Sequence, residues 1–211
     1  MMRFGSLRVT AVKAGAPGST LARHSSGFDQ FCNFLQSSEN LSILDVSGAS
    51  QANVSFITEL GHRISSDDLI GIMEECFGSD FAEGQQSAAN SQRFLDQALS
   101  FPDESFDGVL VWDTLQFLAS PLIEQTVEQL LRIMRRGGAI LAFFNADEKA
   151  LRLPVYGYRI QDRQNLLQVP RGMTQGSQFF PNRMIERLFA NSASLKFFLT
   201  RGSSREVLVR K

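Results

Sequence analysis

The sequence has little of the chemistry that hydrolases and metalloenzymes use. Its 211 residues include only two histidines and two cysteines, and the distance between Cys32 and Cys76 matches no metal-ligand spacing. A structural zinc site takes four cysteine or histidine ligands, and a Ser-His-Asp arrangement needs a well-placed histidine. We therefore predict no metal site and no hydrolase of this kind, and we interpret the cysteines as reduced, partly buried thiols.

Long apolar runs and an excess of one charge are also missing. No apolar run approaches the ~20 residues of a membrane span, and the formal net charge is −1. A near-neutral chain is not typical of a general nucleic-acid binder. We expect a cytoplasmic protein with neither membrane nor nucleic-acid partners. The sequence leaves its oligomeric state open.

The first 27 residues contain no acidic residue, four basic ones and the small-residue run AGAPGST at 14–20. A basic, acid-free start is seen in organelle transit peptides and equally in loose terminal extensions. We favour the extension. The predicted organisation is therefore a flexible N-terminal extension over residues 1–27 and one α/β domain over 28–211.

Short apolar strands alternate with helical patterns along the rest of the chain. Such alternation favours a doubly wound, mostly parallel sheet, and a C-terminal pair of β-rich runs joined by a Gly/Ser turn predicts an antiparallel hairpin at one edge. No convincing strand is visible in the polar segment 78–93. The predicted strands are Ser42–Val46, His62–Ser66, Phe106–Trp112, Ala139–Phe144, Ser194–Thr200 and Glu206–Arg210.

Three segments together resemble class I S-adenosylmethionine-dependent methyltransferases over residues 40–210. Residues 101–107 (FPDESFD) are similar to the passage before the family's fourth strand, and residues 131–141 (LRIMRRGGAIL) to the passage into its fifth. Residues 180–188, beginning Phe-Pro-Asn, are similar to its last helix. The resemblance implies a seven-stranded Rossmann-like sheet that ends in an antiparallel hairpin, S-adenosylmethionine as cofactor, and methyl transfer to a small-molecule acceptor.

The family's first motif, L-D-x-G-x-G-x-G, falls on residues 44–51, which read LDVSGASQ. The acid is kept as Asp45, but Ser47, Ala49 and Gln51 replace the three glycines. Glycine permits a left-handed backbone and close approach of a ligand. The altered turn therefore keeps a second hypothesis open, a non-catalytic binding module with this fold. A nicotinamide oxidoreductase is a weaker third reading, because the G-x-G-x-x-G turn is absent.

The resemblance also implies a set of cofactor-binding residues. Asp68 falls on the ribose-binding acid, although an aspartate before the helical run from Leu69 is equally suited to N-capping. We interpret Asp45 as an acid that fixes the turn, Trp112 as either core or a wall of the site, and Asp113 as either a cap or a neighbour of the methionine moiety. The predicted cofactor-binding residues are Asp45, Ser47, Gly48, Ser50, Asp68, Asp96, Trp112 and Asp113; the sequence assigns no catalytic residue.

Residues 152–178 have weak periodicity for their length, which is typical of a functional loop. The segment contains Tyr156, Tyr158, Arg159 and Arg163. Under the resemblance, we expect it to cover an acceptor and exclude water. The alternative is a surface hairpin whose arginines lie along apolar surface.

Overall fold

A computed structural model describes residues 20–199 and 204–211. The predicted extension up to residue 19 and the turn at 200–203 lie outside these ranges. The strands are β1 Leu21–His24, β2 Ser42–Asp45, β3 Arg63–Ser66, β4 Phe106–Trp112, β5 Met134–Asn145, β6 Arg152–Ile160, β7 Asn165–Gln175, β8 Ser194–Leu199 and β9 Ser204–Arg210. The helices are α1 Ser26–Gln36, α2 Gln51–Glu59, α3 Leu69–Phe77, α4 Phe81–Gly84, α5 Ala88–Gln97, α6 Leu122–Ile133 and α7 Asn182–Leu188.

The main sheet has the strand order β3-β2-β4-β5-β9-β8. The pairings among β3, β2, β4 and β5 are parallel, and β9 pairs antiparallel with both β5 and β8. The predicted mixed sheet and its C-terminal antiparallel pair are confirmed. Within the described residues the sheet has six strands rather than seven, because the polar segment after α3 forms α4 and α5 instead of another strand.

Alternating side chains of this sheet enter two separate cores. One face packs against α3, α5, α6 and α7, with Val109 and Val111 of β4 among its buried residues. The opposite face packs against α1 and the β6–β7 hairpin, with Leu110 and Trp112 of β4 among its buried residues. A strand buried on both faces reads as a near-continuous apolar run, which is why β4 was the clearest strand in the sequence.

The weakly periodic segment is a β-hairpin, not a loop. Strands β6 and β7 pair antiparallel, and β7 also pairs with β1, so that a second sheet of order β1-β7-β6 forms. Pro154, Gly157, Pro170 and Gly172 interrupt the alternation of apolar and polar residues. The strand signal is therefore weak in the sequence, although tertiary pairing still forms the strands.

The folded domain begins earlier than predicted. β1 covers Leu21–His24, and α1 begins at Ser26 with the Ser25 side chain accepting from Phe28 N. The predicted boundary at residue 27 therefore falls inside the folded part of the chain. Among the helices of residues 20–199 and 204–211, none is long and apolar enough to cross a membrane.

Candidate functional site

Asp45, the last residue of β2, organises the turn that follows it. The side chain is fully buried. Its Oδ1 accepts from Ser47 N (3.0 Å), Ser47 Oγ (2.9 Å) and Trp112 Nε1 (2.7 Å), and its Oδ2 accepts from Asn53 Nδ2. Burial raises the pKa of Asp45, and these hydrogen bonds oppose that rise. The carboxylate thus fixes the turn to β4 and to α2, in the supporting role expected from the sequence.

The turn itself has one left-handed residue, Gly48, with φ +89°. The small residues around it take local roles: Ser47 turns its hydroxyl back to Asp45, and Ser50 is the N-cap residue of α2, without a side-chain capping bond. In this turn only Gly48 has a backbone conformation that requires glycine, although the family's motif has three glycines at neighbouring positions.

Asp68 lies directly beside this turn. Gly48 N donates to Asp67 O (2.8 Å) and Leu69 N to Val46 O (3.1 Å), so that the ends of β2 and β3 are joined by backbone hydrogen bonds. The Asp68 Oδ1 accepts from Gly71 N (3.0 Å) and caps α3. The capping role considered from the sequence is therefore confirmed, and the ribose-binding role stays a prediction.

The Asp68 carboxylate also meets the hairpin. Arg171 of β7 donates to both of its oxygens, Nη1 to Oδ1 at 2.7 Å and Nη2 to Oδ2 at 3.0 Å. The Asp68 side chain is 43% exposed in this arrangement. Hydrogen bonding to Asp68 raises the pKa of Arg171. No sequence signal identified Arg171, because its partner lies 103 residues away.

Trp112 closes β4 in a left-handed conformation, with φ +55°, and is fully buried. Its ring stacks on Tyr158 of β6 with centroids 4.9 Å apart and planes 4° from parallel. Asn53 fixes the same strand, donating to Tyr158 O (3.0 Å) and accepting from Ile160 N (2.8 Å). Trp112 is therefore a core residue that fixes Tyr158, and its role as a wall of a cofactor site stays a prediction.

Asp113 follows Trp112 and borders a cavity of about 930 Å³. The residue is 4% exposed, and burial raises the pKa of its carboxyl to about 7. The Tyr158 hydroxyl and the positive charge of Arg23 lower this pKa, but their effect is smaller than that of burial. Asp113 is the one predicted cofactor-binding residue among those lining this cavity. The polar and aromatic lining residues are Arg23, His24, Ser26, Asp113, Gln116, Phe144, Asn145, Tyr156, Tyr158, Gln168 and Ser204.

Two tyrosines of the cavity were expected to lie near an acceptor, but Arg23 was not. Arg23 comes from β1, inside the predicted flexible extension, and its Nη2 donates to the buried Glu206 Oε1 of β9 at 2.7 Å. The sequence did not predict β1, because a strand of four residues is too short for its alternation of apolar and polar residues to be recognised. Only the pairing of β1 with β7 brings Arg23 to the site.

Asp96 stands apart from this arrangement. It lies in the last turn of α5, is exposed, and accepts from Gln92 Nε2 of the same helix (2.8 Å). The backbone N–H of Leu99, three residues on, instead reaches the carboxylate of Asp67. A contact between Asp96 and adenine stays a prediction.

Comparisons with known proteins show which proteins share this fold. A family model described as "Methyltransferase domain" matches residues 44–142. Similar solved structures include an S-adenosylmethionine-dependent methyltransferase from Methanosarcina mazei (12% identity, 86% of this chain and 96% of that chain, TM-score 0.50) and a protein from Pyrococcus horikoshii OT3 (13%, 88% and 89%, 0.50). A third is 1,6-didemethyltoxoflavin-N1-methyltransferase from Burkholderia thailandensis, with bound 1,6-didemethyltoxoflavin and S-adenosylhomocysteine (13%, 88% and 78%, 0.48). No curated protein matches the sequence.

The matched residues run from β2 to β5 and include the Asp45 turn, Asp68 and Trp112–Asp113. With the sheet order, this match shows a methyltransferase domain over residues 44–142, on the fold of the class I S-adenosylmethionine-dependent methyltransferases. The glycine turn of this chain departs from the family's first motif, and the motif acid is retained as Asp45.

Proposed function

We propose that this protein transfers a methyl group from S-adenosylmethionine to a small-molecule acceptor. The match of residues 44–142 to the methyltransferase-domain model and the S-adenosylmethionine-dependent neighbour from Methanosarcina support the reaction class. The observation that carries the proposal is local: a half-exposed carboxylate, Asp68, stands at the end of β3 beside the left-handed turn at Gly48. Ligands of doubly wound sheets bind at this carboxyl edge of the strands.

The residues around Asp68 fit the ribose of such a cofactor. A carboxylate that accepts from both nitrogens of a guanidinium has the acceptor geometry to hold the two hydroxyls of a ribose. A Cβ at Gly48 would lie 3.4 Å from the carboxyl carbon of Asp68. The absence of a side chain at Gly48 therefore keeps the space beside the carboxylate open.

The site then divides between two groups of residues. S-adenosylmethionine, when bound, supplies a methyl group activated on a sulfonium. Asp45 holds the turn in place and Asp68 binds the ribose, while the cavity beside Asp113 and Tyr158 receives the acceptor. Positioning alone provides a large part of the acceleration in such a displacement, so the scarcity of histidine is no obstacle.

A second candidate function, a non-catalytic binding module, is supported by two specific observations. Arg171 occupies both oxygens of Asp68, and Ser47, Ala49 and Gln51 stand where the family has glycines. If this ion pair is permanent, the carboxylate is unavailable to a ribose. The two functions therefore differ in whether an adenosyl ligand can replace Arg171.

Calorimetric titration of the full chain with S-adenosylhomocysteine tests the proposal. We expect binding, and we expect Asp68→Asn to weaken it at least tenfold, because hydrogen bonds to a charged group contribute about 1.5–3 kcal/mol each. Asparagine is as good an N-cap as aspartate, so α3 stays capped. Asp80→Asn, at the N-cap of α4, is the matched control and should not change affinity. Absence of binding at millimolar ligand would contradict the transferase and favour the binding module.

A further inference from the structure

An unpaired oxygen lies in the wall of the large cavity. Asp113 Oδ1 has no hydrogen-bond partner within the described part of the chain, although the residue is 96% buried. Buried polar atoms nearly always have a partner, so an exception that borders a cavity indicates a ligand atom. Because a carboxylate only accepts hydrogen bonds, this ligand atom must carry a hydrogen.

The charges around Asp113 determine whether the ligand that donates to it can itself be charged. Arg23 faces it from β1, but its guanidinium is already paired with Glu206 and lies over the Phe143 ring, 4.4 Å from the centroid. His24 of β1 lines the same cavity, and Tyr158 of β6 packs against Asp113 with its hydroxyl. Arg23 is paired with Glu206 and the Tyr158 hydroxyl bonds to the Asp113 carboxyl, so that one oxygen, Oδ1, is left without a donor, and the negative charge of this carboxylate disfavours an anionic acceptor.

The remaining walls favour a flat molecule. Tyr158 is held parallel to Trp112 by stacking, and Tyr156 meets Tyr158 edge to face, with centroids 6.3 Å apart. Both tyrosines line the cavity together with Leu153 and Pro154. Aromatic walls in fixed orientation favour a planar apolar body, and the volume lies within the range for small-molecule sites.

We infer that Asp113 is the catalytic residue that receives the O–H or N–H of the acceptor, and that the acceptor is a small, planar, uncharged compound with that group at its edge. This inference rests on the proposed function. As the acceptor reacts, its O–H (or N–H) bond breaks and the proton passes to Oδ1 of Asp113. The electron pair left on the acceptor atom forms the bond to the methyl carbon. The bond between that carbon and the sulfonium sulfur would break in exchange, and its electron pair would leave with S-adenosylhomocysteine. The proton then leaves to water at the open side of the cavity.

The test compares two molecules that differ only in the donor: 2-naphthol, which has the hydroxyl, and 2-methoxynaphthalene, in which a methyl group replaces its hydrogen. Their binding to the full-length protein is followed by ligand-observed NMR titration at pH 8. We expect the wild type to bind 2-naphthol at least tenfold more tightly. The preference should decrease at pH 5.5, because a protonated Asp113 is a poorer acceptor.

Two variants assign the preference to Asp113. In Asp113→Leu both compounds should bind equally, whereas Glu128→Gln, which removes an exposed negative charge on α6, should keep the wild-type preference. Asp113→Asn preserves size and one acceptor oxygen, so it should keep a reduced preference that no longer depends on pH. This variant provides the answer if Asp113→Leu does not fold.

Equal binding of the two compounds to the wild type, or binding of neither, would overturn the inference, as would an unchanged preference in Asp113→Leu. None of these measurements uses the cofactor. A hydroxyl preference without binding of S-adenosylhomocysteine would therefore uphold Asp113 as a ligand site and reject methyl transfer. Binding of S-adenosylhomocysteine without a preference for the hydroxyl would support methyl transfer and reject Asp113 as the ligand site.

Discussion

Arg171 and Asp68 form a two-point ion pair across the mouth of the candidate cofactor site. The pair joins β7 of the hairpin to the N-cap of α3, through nitrogen–oxygen distances of 2.7 and 3.0 Å. The same two carboxylate oxygens are those that a ribose would need. Under the proposed function, the hairpin and the ligand would compete for one side chain, and the strength of the pair would set part of the affinity for an adenosyl ligand.

Removing the competitor should strengthen binding. We expect Arg171→Gln to bind S-adenosylhomocysteine up to about fivefold more tightly than the wild type, because ion pairs this exposed contribute no more than about 1 kcal/mol. Arg159→Gln removes an exposed charge from β6 of the same hairpin and should leave affinity unchanged. Calorimetric titration at low salt measures both. A weaker-binding Arg171→Gln would mean that the guanidinium holds the ligand rather than excluding it.

Asp113 should make the folded protein less stable as the pH rises. Its pKa is raised from 3.8 to about 7 by burial, so between these values the folded state binds a proton that the unfolded state has lost. By linkage, stability then falls from pH 4 to pH 7. We expect Asp113→Asn, which cannot ionise, to gain roughly 2–3 kcal/mol relative to the wild type between pH 5 and pH 8. Urea unfolding of both proteins at pH 5 and pH 8 measures the difference in their free energies of unfolding. If this difference is the same at both pH values, the prediction of a raised pKa for Asp113 is wrong.

Gly27 should tolerate no side chain, because Glu206 fills the space beside it. Gly27 N donates to Glu206 Oε2 (2.6 Å), and a Cβ at residue 27 would lie 2.8 Å from the same oxygen. Overpacking of this kind typically costs 1–3 kcal/mol, so Gly27→Ala should lower the free energy of unfolding by about 1–2 kcal/mol. In Gly172→Ala the added Cβ meets nothing within 4 Å, and a change within about 0.5 kcal/mol is expected. Chemical denaturation compares the two; similar losses in both would refute the packing argument.

The sequence by itself determined the main sheet and the place of the first site. β4 is an apolar run over 106–112, and its burial on both faces is what such a run requires. The motif acid Asp45 ends β2 and the acid Asp68 follows β3, and parallel strands bring their carboxyl ends to one edge. Their proximity is thus set by local patterns and the handedness of the connections.

Only the tertiary structure decided what covers that edge. β6 and β7 contain prolines and glycines that weaken the strand pattern, and β1 is only four residues long. The second sheet forms because β1, which is distant in sequence, pairs with β7 of the hairpin. The contacts of Asp68 with Arg171 and of Asp113 with Tyr158 follow from that pairing. Side chains 103 residues apart leave no periodicity to detect, and so the cavity and its unpaired carboxylate were decided by packing rather than by local sequence.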